Sequence, residues 1–82
     1  MKVAAREAEM FGAALKRWRE KRGLTQDGLS RLAGIASSYA SQVERGEKVP
    51  SLTIILKLSL ALNLTPGELL SDFTAASMKK LR

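Results

Sequence analysis

The chain has 82 residues, with 14 Lys or Arg against 8 Asp or Glu, so its formal net charge at pH 7 is +6. This length fits one small domain, and a hydrophobic share of 45% is enough for a packed core. The sequence has no cysteine and no histidine, which excludes disulfides and the usual Cys/His zinc sites. The excess of positive charge favours a polyanionic partner, most often nucleic acid, and a basic solvated surface is the plain alternative.

Residues 1–10 carry acids where a secretory signal would need an apolar run. No segment approaches the ~18 consecutive apolar residues of a membrane span. We therefore expect a cytoplasmic protein that does not associate with a membrane.

The first helix is predicted over residues 10–22, with residues 1–9 as its N-terminal extension. Phe11, Leu15 and Trp18 follow the i, i+4, i+7 spacing of one apolar helix face. Gly23 follows a basic last turn and is expected to end the helix.

Start and stop residues divide the rest of the chain into short helices. Thr25 is a good N-cap for a second helix over Gln26–Ala33, which is expected to bury Leu29 and Leu32. Gly34 ends that helix.

Three more helices are predicted over residues 37–44, 52–62 and 66–70. Ser51 is the expected N-cap of the fourth helix, and Thr65 can form a capping box with Glu68 at the start of the fifth. No strand pattern is present, so the predicted fold is all-α, a compact arrangement of five helices.

The segment Leu24–Gly46, LTQDGLSRLAGIASSYASQVERG, holds two short amphipathic stretches joined at a glycine. With Pro50-Ser51-Leu52 and the run Leu64–Leu70, it resembles the phage-repressor/Cro (Xre-like) helix-turn-helix family across roughly residues 11–70. The resemblance implies a lambda-repressor-like DNA-binding domain that places the second helix of the pair in the major groove of double-stranded DNA. The implied division is an extension over 1–9, a helix-turn-helix domain over 10–70 with its reading pair at 25–45, and a C-terminal tail or short extra helix over 71–82.

By position in the family, polar side chains of the third helix face the bases. They are Ser37, Ser38, Ser41 and Gln42. Gln can pair bidentately with adenine, whereas Ser contacts several bases, so the reader is permissive. Helix capping is the alternative role for Ser37 and Ser38, because Ala36 holds the usual cap position.

The resemblance also implies a set of contacts to DNA phosphates, which add affinity without sequence information. The implied residues are Thr25, Gln26, Tyr39, Arg45, Lys48 and Ser51. Thr25 is equally well explained as a plain N-cap, and Lys48 as a solvated side chain. Arg19 and Glu44 match a family pair that forms a structural salt bridge between the first and third helices.

The predicted fourth helix is apolar on two sides. The first side, expected to face the core, carries Leu52, Ile55, Leu56, Ser59 and Leu62. Ile54, Leu58 and Ala61 fall roughly opposite, and we expect this second side to form a homodimer interface on a two-fold operator. The alternative is that residues 71–82 fold back and cover it.

The sequence therefore predicts a sequence-specific transcriptional regulator that binds operator DNA as a dimer. Proteins of this fold also serve as antitoxins, which bind a toxin partner, and as controllers of restriction–modification systems, so both alternatives stay open. No cofactor, metal site or enzymatic activity is expected, because no catalytic cluster or phosphate-binding glycine loop is present in the sequence.

Overall fold

Short turns connect a series of helices in the computed structural model, which describes residues 5–81. The elements are α1 (Arg6–Lys21), α2 (Gln26–Ala33), α3 (Ser37–Glu44), α4 (Leu52–Ala61), α5 (Pro66–Leu69), α6 (Ala75–Met78) and a final 3-10 turn (Lys79–Leu81). The all-α fold predicted from the sequence is confirmed. Within the described range, no helix is long and apolar enough to cross a membrane.

Helix α1 begins earlier than the apolar spacing indicates, at Arg6. Acidic residues in its first turn and basic residues in its last turn are opposite in sign to the adjacent ends of the helix dipole, and so stabilise the helix. The helix thus takes in part of the predicted N-terminal extension, and residues 1–4 of that extension lie outside the described residues.

Hydroxyl side chains cap the starts of α2 and α4. Thr25 Oγ1 accepts a hydrogen bond from the Gly28 N–H at 2.9 Å, and Ser51 Oγ accepts one from the Ile54 N–H at 3.2 Å. Each bond satisfies a main-chain donor that has no partner inside its helix. Both N-caps were predicted from the sequence.

The predicted capping box at the start of α5 is also present. Thr65 Oγ1 accepts from the Glu68 N–H at 3.1 Å, and Glu68 Oε1 accepts from the Thr65 N–H at 2.8 Å. These hydrogen bonds favour the carboxylate and hold the pKa of Glu68 below its ordinary value. The start of α5 is therefore fixed by local contacts alone.

The core lies where α1, α2, α3 and α4 meet. Its buried members are Phe11, Leu15, Leu29, Ala33, Val43, Leu58, Leu62, Leu64 and Leu69. The prediction that Leu32 is buried was wrong, because its exposed fraction is 62%. Helix α2 buries Leu29, Ser30 and Ala33, and Leu32 lies about 100° around the helix from the middle of that face.

Glycines allow α1 to lie directly against the end of α3. A Cβ on the buried Gly12 would overlap the Val43 carbonyl oxygen and would lie 2.6 Å from the Glu44 carbonyl oxygen. Gly46, just after α3, has φ +75°, and a Cβ there would lie 2.9 Å from Glu9 Cα. Main chain therefore packs on main chain at this junction, which fixes where α3 ends.

Candidate nucleic-acid interface

Helix α3, the predicted reading helix, is buried along one side and exposed at its beginning. Ala40 and Val43 are fully buried, whereas Ser37 and Ser38 are exposed. Ala36 is its N-cap and makes no side-chain cap bond. Ser37 is the first residue inside the helix, so the capping role considered for Ser37 and Ser38 is not the one they have.

An ion pair holds the other end of α3 to α1. Arg19 Nε donates to Glu44 Oε2 at 2.6 Å, Nη2 donates to Oε1 at 3.2 Å, and Nη1 donates to the Leu24 carbonyl oxygen at 2.7 Å. The two side chains are only 12% and 3% exposed. The hydrogen bond to Glu44 raises the pKa of Arg19 above its ordinary value, so this guanidinium stays charged. This is the pair that the family resemblance implied.

Gln26 joins the same cluster from the start of α2. Its Nε2 donates to Glu44 Oε1 at 3.0 Å, which fixes the orientation of the amide. The two helices of the pair are thereby connected through one carboxylate. The Gln26 main-chain N–H lies in the first turn of α2, where a helix offers unpaired donors to an anion.

A second ion pair lies beside the first. Arg45 Nε and Nη2 donate to the two carboxylate oxygens of Glu47 at 2.7 and 3.2 Å, and Nη1 donates to Ser41 Oγ at 2.5 Å. The Arg45 hydrogen bond lowers the pKa of Glu47, and the Glu47 carboxylate raises the pKa of Arg45. A predicted phosphate contact and a predicted base reader are thus in direct contact.

The two ion pairs border one open groove of about 480 Å³ between α1 and α3. Its lining residues are Glu9, Ala13, Lys16, Arg19, Gln26, Glu44 and Arg45. Sequence reasoning missed Lys16, which lies three residues before Arg19 and so on nearly the same face of α1. That spacing was the available signal. Sequence reasoning also missed Glu47, because its pairing with Arg45 depends on the turn at Gly46 and not on helical spacing.

The remaining predicted contact residues do not line this groove. Tyr39 is half-buried and packs against the core, and Gln42 is also half-buried. Lys48 is exposed ahead of α4, where the Ser51 hydroxyl is engaged as a cap. The structure therefore brings Ser41, Gln26 and Arg45 together and leaves these others separate.

Of the three residues predicted for a dimer interface on α4, the placement of Leu58 was wrong. Leu58 is 0% exposed and belongs to the core, and Ile54 and Ala61 are half-buried against it. Helix α4 packs against both α2 and α5. On the side expected to face the core, Ser59 and Leu62 are buried as expected, whereas Leu52 and Leu56 are exposed. The buried side of α4 is therefore centred on Leu58, Ser59 and Leu62.

The exposed apolar stripe of α4 consists of Leu52, Leu56 and Leu60, with exposed fractions of 67%, 47% and 82%. Their i, i+4, i+8 spacing places them along one side of the helix. Residues 75–81 of the predicted tail form α6 and the 3-10 turn. In that region Met78 borders an apolar groove of about 320 Å³ together with Phe11 and Ile55.

A turn-linked helix pair whose second helix exposes small polar side chains, beside a groove that holds cationic groups, defines a helix-turn-helix regulator of the kind that binds DNA. Residues 15–69 match the helix-turn-helix family HTH_3. The chain belongs to this Xre-like family, whose members are HTH-type transcriptional regulators and not enzymes.

Several relatives support the assignment. The chain is 36% identical over 63 residues to the uncharacterized HTH-type transcriptional regulator YazB of Bacillus subtilis, covering 77% of this chain and 91% of YazB. The crystal structure of the restriction-modification controller protein C.AhdI from Aeromonas hydrophila is similar with a TM-score of 0.75 and 43% identity, covering 77% of this chain and 96% of that one. The clp gene regulator ClgR from Corynebacterium glutamicum matches with a TM-score of 0.78 and 30% identity, covering 89% of this chain and 77% of ClgR.

Proposed function

We propose that this chain is a sequence-specific regulator that reads operator DNA by placing α3 in the major groove. The observation that carries the proposal is the exposed polar beginning of α3, Ser37 and Ser38, on a helix whose other end borders the groove lined by Lys16 and Gln26. A reading helix needs an exposed polar end and nearby groups that bind phosphate, because phosphate contacts set the register in which bases are read. The net charge of +6 supports the same interaction.

The side chains of α3 divide into two kinds of reader. Ser37 and Ser38 are exposed and can approach base edges from the first turn. Gln42 and Ser41 lie one turn further along and are half-buried. Gln42 is the side chain best suited to discriminate, because its amide can donate to and accept from adenine at once. Serines alone give weak discrimination, so the shape of the operator would add to the specificity.

Phosphate contacts would come from the flanks of the reading helix. Gln26 contributes the beginning of α2, and its side chain is already held by Glu44. Lys16 and Lys48 are exposed cations, one beside the groove and one ahead of α4. Thr25, Tyr39 and Ser51 remain predicted contributors by family position. Such contacts make the affinity fall steeply as the salt concentration rises.

The proposed assembly on the operator is a homodimer formed through the exposed stripe Leu52, Leu56 and Leu60. Three leucines on one side of a helix expose apolar area whose burial is favourable, and a second copy offers a matching surface in a two-fold arrangement. Two reading helices related in this way would contact half-sites about one helical turn of DNA apart.

The first experiment is selection of duplex DNA in vitro, followed by footprinting and gel-shift titration. We expect two half-sites separated by about 10 base pairs. Gln42→Ala should lower discrimination at one base position by about tenfold, whereas Lys48→Ala should weaken binding to every duplex alike. Ser71→Ala, on the exposed turn after α5, serves as the control. Equal affinity for selected and scrambled duplexes at moderate salt would contradict the proposal.

The dimer is tested by the concentration dependence of the molar mass in light scattering. Leu60→Lys should shift the chain to monomer and weaken operator binding, because it places a charge in the apolar stripe. Leu32→Lys is the matched control, since Leu32 is 62% exposed but lies on α2. A wild-type chain that stays monomeric at all concentrations would rule out this interface.

A second candidate function is control of a restriction–modification system. It is favoured by the similarity to C.AhdI, which the chain matches over 96% of that protein's length. Footprinting on the genomic DNA that flanks the gene identifies the regulated promoter. A promoter of restriction–modification genes would support this role over that of a general regulator. The antitoxin alternative remains a prediction, and co-purification of the chain with a second protein would support it.

A further inference from the structure

Glu47 was not among the residues that the family resemblance singled out, yet it holds the side chain of Arg45. The two carboxylate oxygens accept from Nε and Nη2 of Arg45, which makes a bidentate pair. That edge of the guanidinium is the one that a DNA phosphate would otherwise occupy. Arg45 is therefore engaged before any DNA arrives.

The remaining Arg45 nitrogen acts on Ser41. Nη1 donates to Ser41 Oγ, and a guanidinium has no acceptor atom, so the Ser41 hydroxyl cannot donate in return. Ser30 and Ser59 differ, because each hydroxyl donates to a carbonyl oxygen of its own helix at 2.8 Å. Among the hydrogen bonds of residues 5–81, the Ser41 hydroxyl donates to no protein acceptor. Its proton is available to a group outside the chain.

We infer that Glu47, acting through Arg45, fixes Ser41 as a hydrogen-bond donor to a base acceptor, and this rests on the proposed function. A free serine hydroxyl can donate or accept and so tolerates several bases. With one lone pair of Ser41 Oγ occupied by Arg45 and its proton uncommitted, Ser41 favours the acceptors of the major groove, such as the N7 atom of a purine, over the N4 amino group of cytosine. Glu47 is a positioning residue for specificity.

The main chain keeps Glu47 in place for this role. Its N–H donates to the Gln42 carbonyl oxygen at 2.9 Å, directly after the turn at Gly46. That turn lies against α1, where a Cβ on Gly46 would approach Glu9 Cα. The carboxylate is thus carried by a segment packed on the rest of the fold, so the three side chains are arranged in the free protein.

The test compares Glu47→Ala with the charge-matched control Glu20→Ala on the exposed side of α1. The measured quantity is the ratio of the dissociation constants for a scrambled duplex and for the selected operator. Glu47→Ala should lower this ratio about fivefold, the effect of one net hydrogen bond, and Glu20→Ala should leave it unchanged. In a Ser41→Ala background, Glu47→Ala should have no further effect on the ratio.

Operators with single 7-deazapurine substitutions supply a second readout, since each substitution removes one N7 acceptor. One such substitution should weaken the wild type about fivefold and should not weaken Glu47→Ala further. Glu47→Gln repeats the test with a side chain of the same size, and thermal unfolding checks that each variant is folded.

Two outcomes would overturn the inference. The first is an unchanged ratio in Glu47→Ala, and if both affinities rise equally beyond those of Glu20→Ala, Glu47 acts only by repelling phosphate. In that case the proposed function stands if the wild type discriminates. The second is a wild type that fails to discriminate, which overturns the proposed function as well.

Discussion

Helices α3 and α4 follow one another in the chain, and they are held by different means. Helix α4 has a serine cap, and its long apolar side chains pack against two neighbouring helices. Helix α3 has no side-chain cap and buries only Ala40 and Val43. Its position depends instead on packing against α2 and α1, with the Gly12 contact and the Arg19–Glu44 ion pair on the α1 side. Helix α3, the proposed reading helix, thus gains its stability from tertiary contacts, which leave Ser37 and Ser38 at its beginning exposed.

The largest expected effect comes from separating α1 and α3. Gly12→Ala inserts a methyl group where the Val43 and Glu44 carbonyl oxygens already lie, and we expect a loss of about 3 kcal/mol in the free energy of unfolding. Chemical denaturation measures it. Gly67→Ala is the matched control, because its Cβ would meet only Thr65 Oγ1 at an ordinary 3.8 Å. Equal stability of the two variants would refute the close contact.

The next effect concerns the ion pair at the same junction. Glu44→Gln should cost about 2 kcal/mol, because it leaves the charge of the mostly buried Arg19 without its partner while keeping the size of the side chain. Asp72→Asn removes the Arg17–Asp72 pair, whose side chains are 50% and 43% exposed, and should cost less than about 1 kcal/mol. A smaller loss for Glu44→Gln than for Asp72→Asn would speak against a structural role for the Glu44 carboxylate.

Removing a side-chain cap should change the free energy of unfolding by a smaller amount. Of α3 and α4, only α4 has such a cap. Ser51→Ala removes the hydroxyl that accepts from the Ile54 N–H and should cost about 1 kcal/mol. Ser38→Ala, inside the first turn of α3, should leave the free energy of unfolding nearly unchanged because Ser38 caps nothing. Chemical denaturation of both variants measures the two free energies of unfolding. Similar losses in Ser51→Ala and Ser38→Ala would contradict the view that only α4 depends on a side-chain cap.

The smallest expected effect is a gain. Ala36 has extended backbone angles suited to an N-cap, with φ −69° and ψ 140°. Ala36→Ser should therefore supply the missing cap and raise the free energy of unfolding by about 0.5 kcal/mol. Thermal unfolding of Ala36→Ser is compared with that of Ser37→Ala, which changes the neighbouring position without adding a cap. A loss of stability in Ala36→Ser would show that the start of α3 cannot accept a cap.

The helices themselves were predictable because their start and stop signals are local. Thr25, Ser51 and the Thr65–Glu68 box each act within one turn, and the predicted bounds of α2 and α3 agree with the structure. The side of α4 that faces the core was not predictable in this way. A helix with apolar residues nearly all around can rotate, and its packing on α2 and α5 selected Leu58 over Leu56 for burial.

The candidate site divides in the same manner. The family resemblance implied the Arg19–Glu44 pair and the residues of the reading helix. It gave no sign of Glu47, because the contact with Arg45 depends on a turn with positive φ and not on helical spacing. Residues that meet across a turn of this kind become visible only when the backbone path is known.

The junction at Gly12 has a mechanical consequence for DNA reading. Helix α3 is fixed at its C-terminal end, and its eight residues at a rise of about 1.5 Å form a lever arm of about 12 Å. A tilt of about 10° at the junction would displace Ser37 by about 2 Å, which exceeds the tolerance of a hydrogen bond. If α3 reads DNA as proposed, small changes in how α1 packs against α3 therefore redirect Ser37, so α1 sets the orientation of the proposed reading helix.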